Sequence, residues 1–384
     1  MTQSEDTIEQ LADAVRRFVR EQLVPAEAQV EEDDHIPAHL IAKLKELGLF
    51  GMTIPEEYGG LGLSMYGEAR VVFEIGYASP VFRSYFGTST GVGTLGIIIE
   101  GTPEQRRHYL PRIAKGDLVT SFCLTEADAG SDAAALSARA ERQGDHYVIN
   151  GTKRFTTNSP EAGLFTVFAR TAPKDAGPKG ISAFLVDRDT PGITVAPPHR
   201  KMGFRGAHTA DVIFEDCRVP ASALLGGREG IGFRTAMKSL DHARIHMAAV
   251  ATGLAHRAID EGVRYAADRR QFGKSLSEFQ LVQAMIADCQ AEAYAARAMV
   301  ERAAREKDAG RRIVKEAASC KYFCTEALGR IVDRVLQIHG GYGYIKEYPI
   351  ERIYRDARLL RIYEGTSQIM QLVIARETLR EHAG

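Results

Sequence analysis

His146-Tyr-Val-Ile-Asn-Gly151 alternates and then turns, and it marks where the texture of the chain changes. A repeat of two belongs to a half-buried strand. Beyond it, Leu164-Phe-Thr-Val-Phe-Ala-Arg170, Ile181-Ser-Ala-Phe-Leu-Val186 and Asp211-Val-Ile-Phe-Glu215 are rich in β-branched and aromatic residues, separated by Gly and Pro. Residues 121–229 therefore read as a small β-domain, a sandwich or barrel.

Outward on both sides the period is helical. Ile8, Leu11, Val15, Phe18 and Val19 recur at helical spacing, Leu40, Leu44 and Leu47 repeat the pattern, and Pro25 and Pro37 punctuate. Residues 65–115 read as helices broken at Pro80 and near Gly101-Thr-Pro103. Downstream, 230–268, 276–308, 311–338 and 366–381 are long helical patterns, which suggests a four-helix bundle. The expected domains are 1–120, all helical, 121–229, and 230–384. The order helices, strands, helices excludes a doubly wound βαβ fold.

The chain has 384 residues, with 49 Lys plus Arg against 50 Asp plus Glu. A net charge of −1 gives no global basic field for nucleic acid or anionic membranes. No stretch of about 18 apolar residues predicts a membrane span. The start, Met1-Thr-Gln-Ser-Glu-Asp, lacks the apolar core of a signal peptide. Five scattered cysteines, Cys123, Cys217, Cys289, Cys320 and Cys324, draw no disulfide framework and no metal spacing. They read as small buried hydrophobes in a reducing compartment, which predicts a cytoplasmic protein.

Four segments concentrate chemistry. Cys123-Leu-Thr-Glu-Ala-Asp-Ala-Gly-Ser-Asp132 gathers hydroxyls, a glycine and loop amides. It suits a polar ring system or phosphate, and it equally suits a capped turn. Gly151-Thr-Lys-Arg-Phe-Thr-Thr-Asn-Ser159 ends a strand in hydroxyls beside an aromatic. Arg269-Arg-Gln-Phe-Gly-Lys274, followed by Phe279-Gln280, offers guanidinium forks to a pyrophosphate, or simply compensates a helix dipole. Gln337-Ile-His-Gly-Gly-Tyr-Gly343 leads to Arg361-Ile-Tyr-Glu-Gly-Thr-Ser-Gln368, where Glu364 precedes a helix start.

Together these segments resemble the acyl-CoA dehydrogenase family along almost the whole chain. Its signature stretches are matched at 123–135 and 337–356, and its Tyr-Glu-Gly-Thr at 363–366. The resemblance implies a helical N-terminal domain, a central β-domain and a C-terminal four-helix bundle. It implies FAD and oxidation of an acyl-CoA thioester to the trans-2-enoyl-CoA, with electrons passed to an electron-transfer flavoprotein. Glu364 then takes the α-proton while the β-hydrogen leaves as hydride. An α-proton of a thioester is a very weak acid, so the carboxylate needs desolvation and the enolate needs hydrogen bonds. In isovaleryl-type members the base sits elsewhere, at the position of Ala243, which cannot serve.

By the same resemblance Thr125 and Ser131 bond the flavin or its phosphate, and Phe155, Thr156 and Thr157 line its other side. The family usually has Trp at position 155, and this chain has none. Arg269, Gln271, Phe272, Phe279 and Gln280 match the segment that reaches the FAD of a neighbouring subunit. Gln337, Gly340 and Gly341 match the diphosphate and adenosine stretch, and Thr366 and Gln368 the remaining flavin contacts. A cofactor held by two chains implies an obligate oligomer, and the resemblance implies a homotetramer. CoA is expected at Ser131, Asp241, Arg244 and Arg376, with Tyr363 and Gly365 beside the base. An i,i+3 pair with Asp241 is the alternative for Arg244.

Arg83-Ser84 resembles the pair with which glutaryl-CoA dehydrogenases bind a distal carboxylate. Two readings of Arg83 are open: a counter-ion for an acidic acyl tail, or a pair with a carboxylate such as Glu74 or exposure to solvent. The glutamate those enzymes carry seven residues earlier is Gly76 here. The expected substrate is a short or medium acyl-CoA. The alternatives are a decarboxylating or desulfinating relative on an acid-tailed thioester, and a flavin-bearing scaffold without turnover.

Overall fold

The computed structural model describes residues 4–383; the first residues of the acidic start lie outside the described residues. The chain begins with α1 (Glu5–Phe18), α2 (Val24–Asp33) and α3 (Ala38–Glu46). Pro25 does not interrupt the helix as its sequence position suggests. A π turn at Val19–Leu23 carries α1 into α2, with Pro25 in the first turn of α2. The wider turn accommodates the missing N–H. Then come α4 (Met65–Ile75), α5 (Pro80–Thr90), α6 (Val92–Glu100) and α7 (Pro103–Ala114). Pro80 and Pro103 open helices, behind the caps Ser79 and Thr102.

The β-region is a curled seven-stranded sheet: β1 (Thr120–Cys123), β2 (Arg139–Gln143), β3 (His146–Thr157), β4 (Leu164–Arg170), β5 (Ile181–Asp187), β6 (Ile193–Val195) and β7 (Thr209–Pro220). The order is β1-β4-β2-β3-β7-β6, with β5 on β4. β1 and β2 pair with opposite ends of β4. Both faces of β4 are buried. Leu164 and Phe168 join a core shared with α6, α7 and α8 residues, whereas Phe165, Val167 and Ala169 join the core inside the sheet. That two-sided burial explains its unbroken apolar run.

The C-terminal part holds α8 (Gly232–Asp268), a hairpin of β8 (Arg270–Gln271) and β9 (Lys274–Ser275), α9 (Gln280–Asp308), α10 (Val314–His339), α11 (Pro349–Leu359) and α12 (Ser367–Ala383). The sequence reading left 349–359 without a helix. Ile350, Ile353 and Ala357 nevertheless form a buried stripe at helical spacing. α8 packs on α9, α10 and α4. α4 and α8 touch backbone to backbone through Gly76 and Gly253. A Cβ on Gly76 would lie 2.8 Å from the Val250 carbonyl oxygen, and one on Gly253 2.4 Å from that of Phe73. No side chain, glutamate included, fits at position 76. The five cysteines are free and buried.

Candidate functional site

Glu364 lies in the turn between α11 and α12, in the left-handed region at φ 55°, followed by Gly365 at φ 96°. That φ strains any residue with a Cβ, so the turn favours glycine at 365. Lys321 of α10, fully buried, donates from Nζ to the Gly365 carbonyl at 2.6 Å and pins the turn from below. Glu364 Oε2 is buried and has no hydrogen-bond partner. Burial pushes the Glu364 carboxyl up, against the opposing pull of Arg83, Lys321 and Arg244. Burial likewise brings Lys321 down to about 8, although Glu364 favours its charge. Tyr363 packs edge-on against Phe204, and Ala243 on α8 is buried and carries no acid.

Arg83 on α5 is 7% exposed, so it does not point to solvent. Nor does it pair with Glu74, which two nitrogens of Arg16 hold at 3.0 and 2.9 Å. Its Nε–H donates to His246 Nε2 at 2.6 Å. His246 Nδ1 bonds Glu68 Oε1, His242 Nε2 bonds Glu68 Oε2 at 2.6 Å, and Lys307 Nζ lies 2.5 Å from His242 Nδ1. This row of five polar groups, buried at Arg83, His246 and Glu68 and half-buried at His242 and Lys307, was missed in the sequence. Its trace there is the pair His242 and His246, one turn apart on α8. α4 and α9 are held together nearby, since Asp308 accepts the Met65 and Tyr66 amides at 2.7 and 2.9 Å. Burial and the Arg83 charge push His246 down to about 4 despite Glu68. Burial alone would raise Glu68, but the two histidines hold its carboxyl well below the usual range. Ser84 is buried beside Arg83, with its carbonyl accepting from Asn158 Nδ2 at 2.9 Å.

The loop before β2 and the end of β3 form a second wall. Lys153, fully buried, donates to Glu126 Oε1 at 2.7 Å and to the Leu124 carbonyl at 3.2 Å. Glu126 also accepts the Ser137 and Ala138 amides. These bonds fix the loop that carries Thr125 and Ser131, the latter exposed. Between Lys153 and Thr156 the β3–β7 register slips. Phe155 sits in that bulge at φ 53° and 61% exposed, tilted toward the His199 ring at 5.4 Å. An aromatic held at positive φ is strained, and such strain gathers at ligand sites. Thr156 Oγ1 is buried without a partner, and Thr157 follows half-buried.

A third region is an open cleft of about 520 Å³ where α8 ends against the α10 terminus. Arg269, Gln271, Gly340 and Gly341 line it together. The Arg269 guanidinium lies 5.3 Å over the Tyr342 ring. Nothing stands within 4 Å of a Cβ on Gly340 or Gly341, so the backbone there is open to approach. None of Thr125, Ser131, Phe155, Thr156, Thr157 or Glu364 lines this cleft. Gln337 is exposed above it. Phe272, 93% exposed at φ 50° on the hairpin tip, stands edge-on to Phe279, and Gln280 opens α9. Thr366 Oγ1 accepts the Ile369 amide at 3.2 Å and caps α12, where Gln368 is exposed.

Arg244 Nη1 donates to Asp241 at 2.6 Å, so the i,i+3 pair is formed, while Arg244 Nε is buried without a partner. Burial raises Asp241 in spite of Arg244. Arg376 is exposed on α12, 3.6 Å from Glu377. FAD fits these walls: the orphaned Thr156 hydroxyl and the bared Phe155 face suit a polar aromatic ring, and Arg269 with two open glycines suits a pyrophosphate. Among the described residues no cluster of His, Cys, Asp or Glu could hold a metal ion, and no helix is long and apolar enough to cross a membrane.

Comparison with known proteins covers almost the whole chain. Residues 5–117, 121–217 and 230–379 match the N-terminal, middle and C-terminal domain families of acyl-CoA dehydrogenase. Acryloyl-CoA reductase (NADH) of Anaerotignum propionicum is 43% identical over 99% of this chain and 95% of its own. The structure of butyryl-CoA dehydrogenase from Megasphaera elsdenii superposes with a TM-score of 0.94 at 33% identity, over 99% of this chain and 100% of that one. A glutaryl-coenzyme A dehydrogenase in complex with glutaryl-CoA gives 0.92 at 34% identity, over 99% and 96%.

Proposed function

Since the chain belongs to the acyl-CoA dehydrogenase family, FAD-dependent oxidoreductases, we propose that it removes the α- and β-hydrogens of a short or medium acyl-CoA with Glu364 as the base. The observation that carries this reading is the Glu364 carboxyl, raised by burial and with Oε2 unpartnered. A desolvated carboxylate is a stronger base, and an oxygen free of partners is available to take the α-proton. Bound FAD supplies the acceptor for the β-hydrogen. Lys321 and Gly365 keep Glu364 in its strained turn, so that the carboxyl is oriented before substrate arrives. Arg244, with its free Nε, acts on the base and, paired with Asp241, meets the CoA moiety, with Ser131 and Arg376 nearer solvent. In the saturating direction, that of the acryloyl-CoA reductase, the same carboxyl returns the α-proton.

The separation of the Arg269–Gly341 cleft from the Phe155 wall supports an FAD shared between subunits of a homotetramer. The five buried thiols suit the cytoplasm. An electron-transfer flavoprotein is the proposed acceptor. The test is flavin absorbance of the purified protein mixed anaerobically with a panel of acyl-CoA thioesters. Bleaching is expected, and its rate rises with pH through a midpoint above the ordinary glutamate value. A base works deprotonated, so a raised folded pKa moves the acid limb to higher pH. A spectrum unchanged by every thioester refutes turnover.

A second reading concerns the acyl tail. Arg83 is buried, its charge reaches Glu364 and Tyr363, and among the described residues no carboxylate bonds it directly. This favours a substrate with a terminal carboxylate, such as glutaryl-CoA. Arg83→Met is expected to lower the glutaryl-CoA to butyryl-CoA efficiency ratio by about 10-fold or more, the loss of one charge-assisted bond. A parent enzyme that prefers butyryl-CoA over every acid-tailed thioester refutes this reading. With Gly76 closed to side chains, no decarboxylation is proposed.

A further inference from the structure

The guanidinium of Arg83 has two ends. Its Nε–H is committed to His246 Nε2 at 2.6 Å. Nη1 and Nη2 make no hydrogen bond among the described residues, although the residue is 7% exposed. Because His246 Nε2 accepts from Arg83, the ring is neutral and its proton sits on Nδ1, donating to Glu68 Oε1. Glu68 Oε2 accepts from His242 Nε2, whose Nδ1 in turn accepts from the Lys307 ammonium. The groups that face His246 are therefore Arg83 from α5, Glu68 from α4 and His242 from its own helix, with Lys307 of α9 behind His242 and Glu364 beyond Arg83.

We propose that His246 and Glu68 are positioning residues that hold Arg83 by its Nε alone and leave its Nη1–Nη2 edge as an end-on receptor for a carboxylate at the far end of the acyl chain. The proposal rests on the acid-tail reading of Arg83. A direct Arg83–Glu68 pair would be bidentate and would consume the fork that a substrate needs. The neutral imidazole between them lets the Glu68 charge offset the guanidinium from one residue away. It also fixes the guanidinium plane, which an isolated arginine in a pocket lacks. Gly87 leaves room for the guanidinium; a Cβ there would come within 2.7 Å of Arg83 Cζ. A rigid fork stabilises a bound carboxylate more than a mobile one, since less freedom is lost on binding.

The FAD-loaded enzyme and its variants are mixed with glutaryl-CoA and butyryl-CoA, and binding and flavin reduction are followed separately. His246→Gln keeps one acceptor for Arg83 and one donor for Glu68; it is expected to retain the glutaryl-to-butyryl ratio within about 3-fold. His246→Leu keeps bulk without either bond, and the ratio should fall about 10-fold or more, in both affinity and reduction rate. Should His246→Leu fail to take up FAD, His246→Asn, too short to bridge both partners, is read in its place with the same expectation. If Arg83→Met loses the ratio and His246→Leu or His246→Asn keeps it, the positioning role is overturned while the acid-tail reading stands. Equal loss in His246→Gln and His246→Leu overturns it too, because bulk rather than bonding would then matter. A parent enzyme without any acid preference overturns the acid-tail reading and this proposal with it.

Discussion

Glu364→Gln is expected to slow flavin reduction by acyl-CoA by about 10²–10⁴ or more, the scale of a lost general base, with FAD content and CoA-ligand binding retained. The amide keeps the shape of the carboxyl and removes its basicity. The turn itself depends on Gly365 and on the Lys321 bond to its carbonyl, neither of which the substitution touches. One side effect is predictable in sign. Lys321 has its pKa depressed by burial and supported by Glu364. Removing that charge lowers it further, so the Lys321 ammonium costs the variant more stability at neutral and lower pH than it costs the parent, and that cost is relieved as pH rises through the lowered pKa. Stopped-flow reduction at fixed substrate, beside a titration with a non-reducible CoA ligand, separates chemistry from binding. Near-parental reduction by this variant would remove Glu364 from the role.

The second large effect concerns the buried Lys153–Glu126 pair. Glu126→Ala should destabilise the protein by about 3–5 kcal/mol, because it strands the Lys153 ammonium in the interior. It also frees the Ser137 and Ala138 amides that Glu126 now accepts. Burial would raise the Glu126 carboxyl, but Lys153 and Ser137 bring it below its ordinary value. The loop carrying Thr125 and Ser131 should loosen, and the variant should purify with less FAD. Adding Lys153→Met removes the stranded charge, and the double variant should recover much of the loss in urea denaturation. A single variant as stable as the double would show that the pair is not what holds the loop.

How much of this was legible beforehand depends on sequence distance. The alternation at 146–151 and the apolar runs at 164–170 and 181–186 are local, and each became a strand. The helical stripes read locally as well. α11 is hidden between glycine and charge clusters, although Ile350, Ile353 and Ala357 carry the period. Pro25 misled because a π turn ahead of it absorbs the missing donor. At the site, the acid at 364 was legible from its motif. Its left-handed turn, the bulge that bares Phe155 and the Lys321 strut depend on partners that no local pattern reports. Arg83 shows the limit most clearly. The partner guessed for it, Glu74, is nine residues away, whereas the one it finds is 163 residues away. Histidines at 242 and 246 share a helix face, but nothing in the string ties that face to α4 and α5.

The row from Lys307 to Arg83 has a direction that changes along its length. Read from one end, Lys307 donates to His242 and His242 to Glu68; read from the other, Arg83 donates to His246 and His246 to Glu68. A Grotthuss wire needs every donor to point the same way, so that each group passes on one proton as it receives another. Here the polarity inverts at a carboxylate that both imidazoles feed, and neither cationic end can accept a proton without first losing one. The row is thus an insulator. It holds charge in place around Glu68 while conducting none, so it offers no exit to a proton that the proposed base, Glu364, would take up.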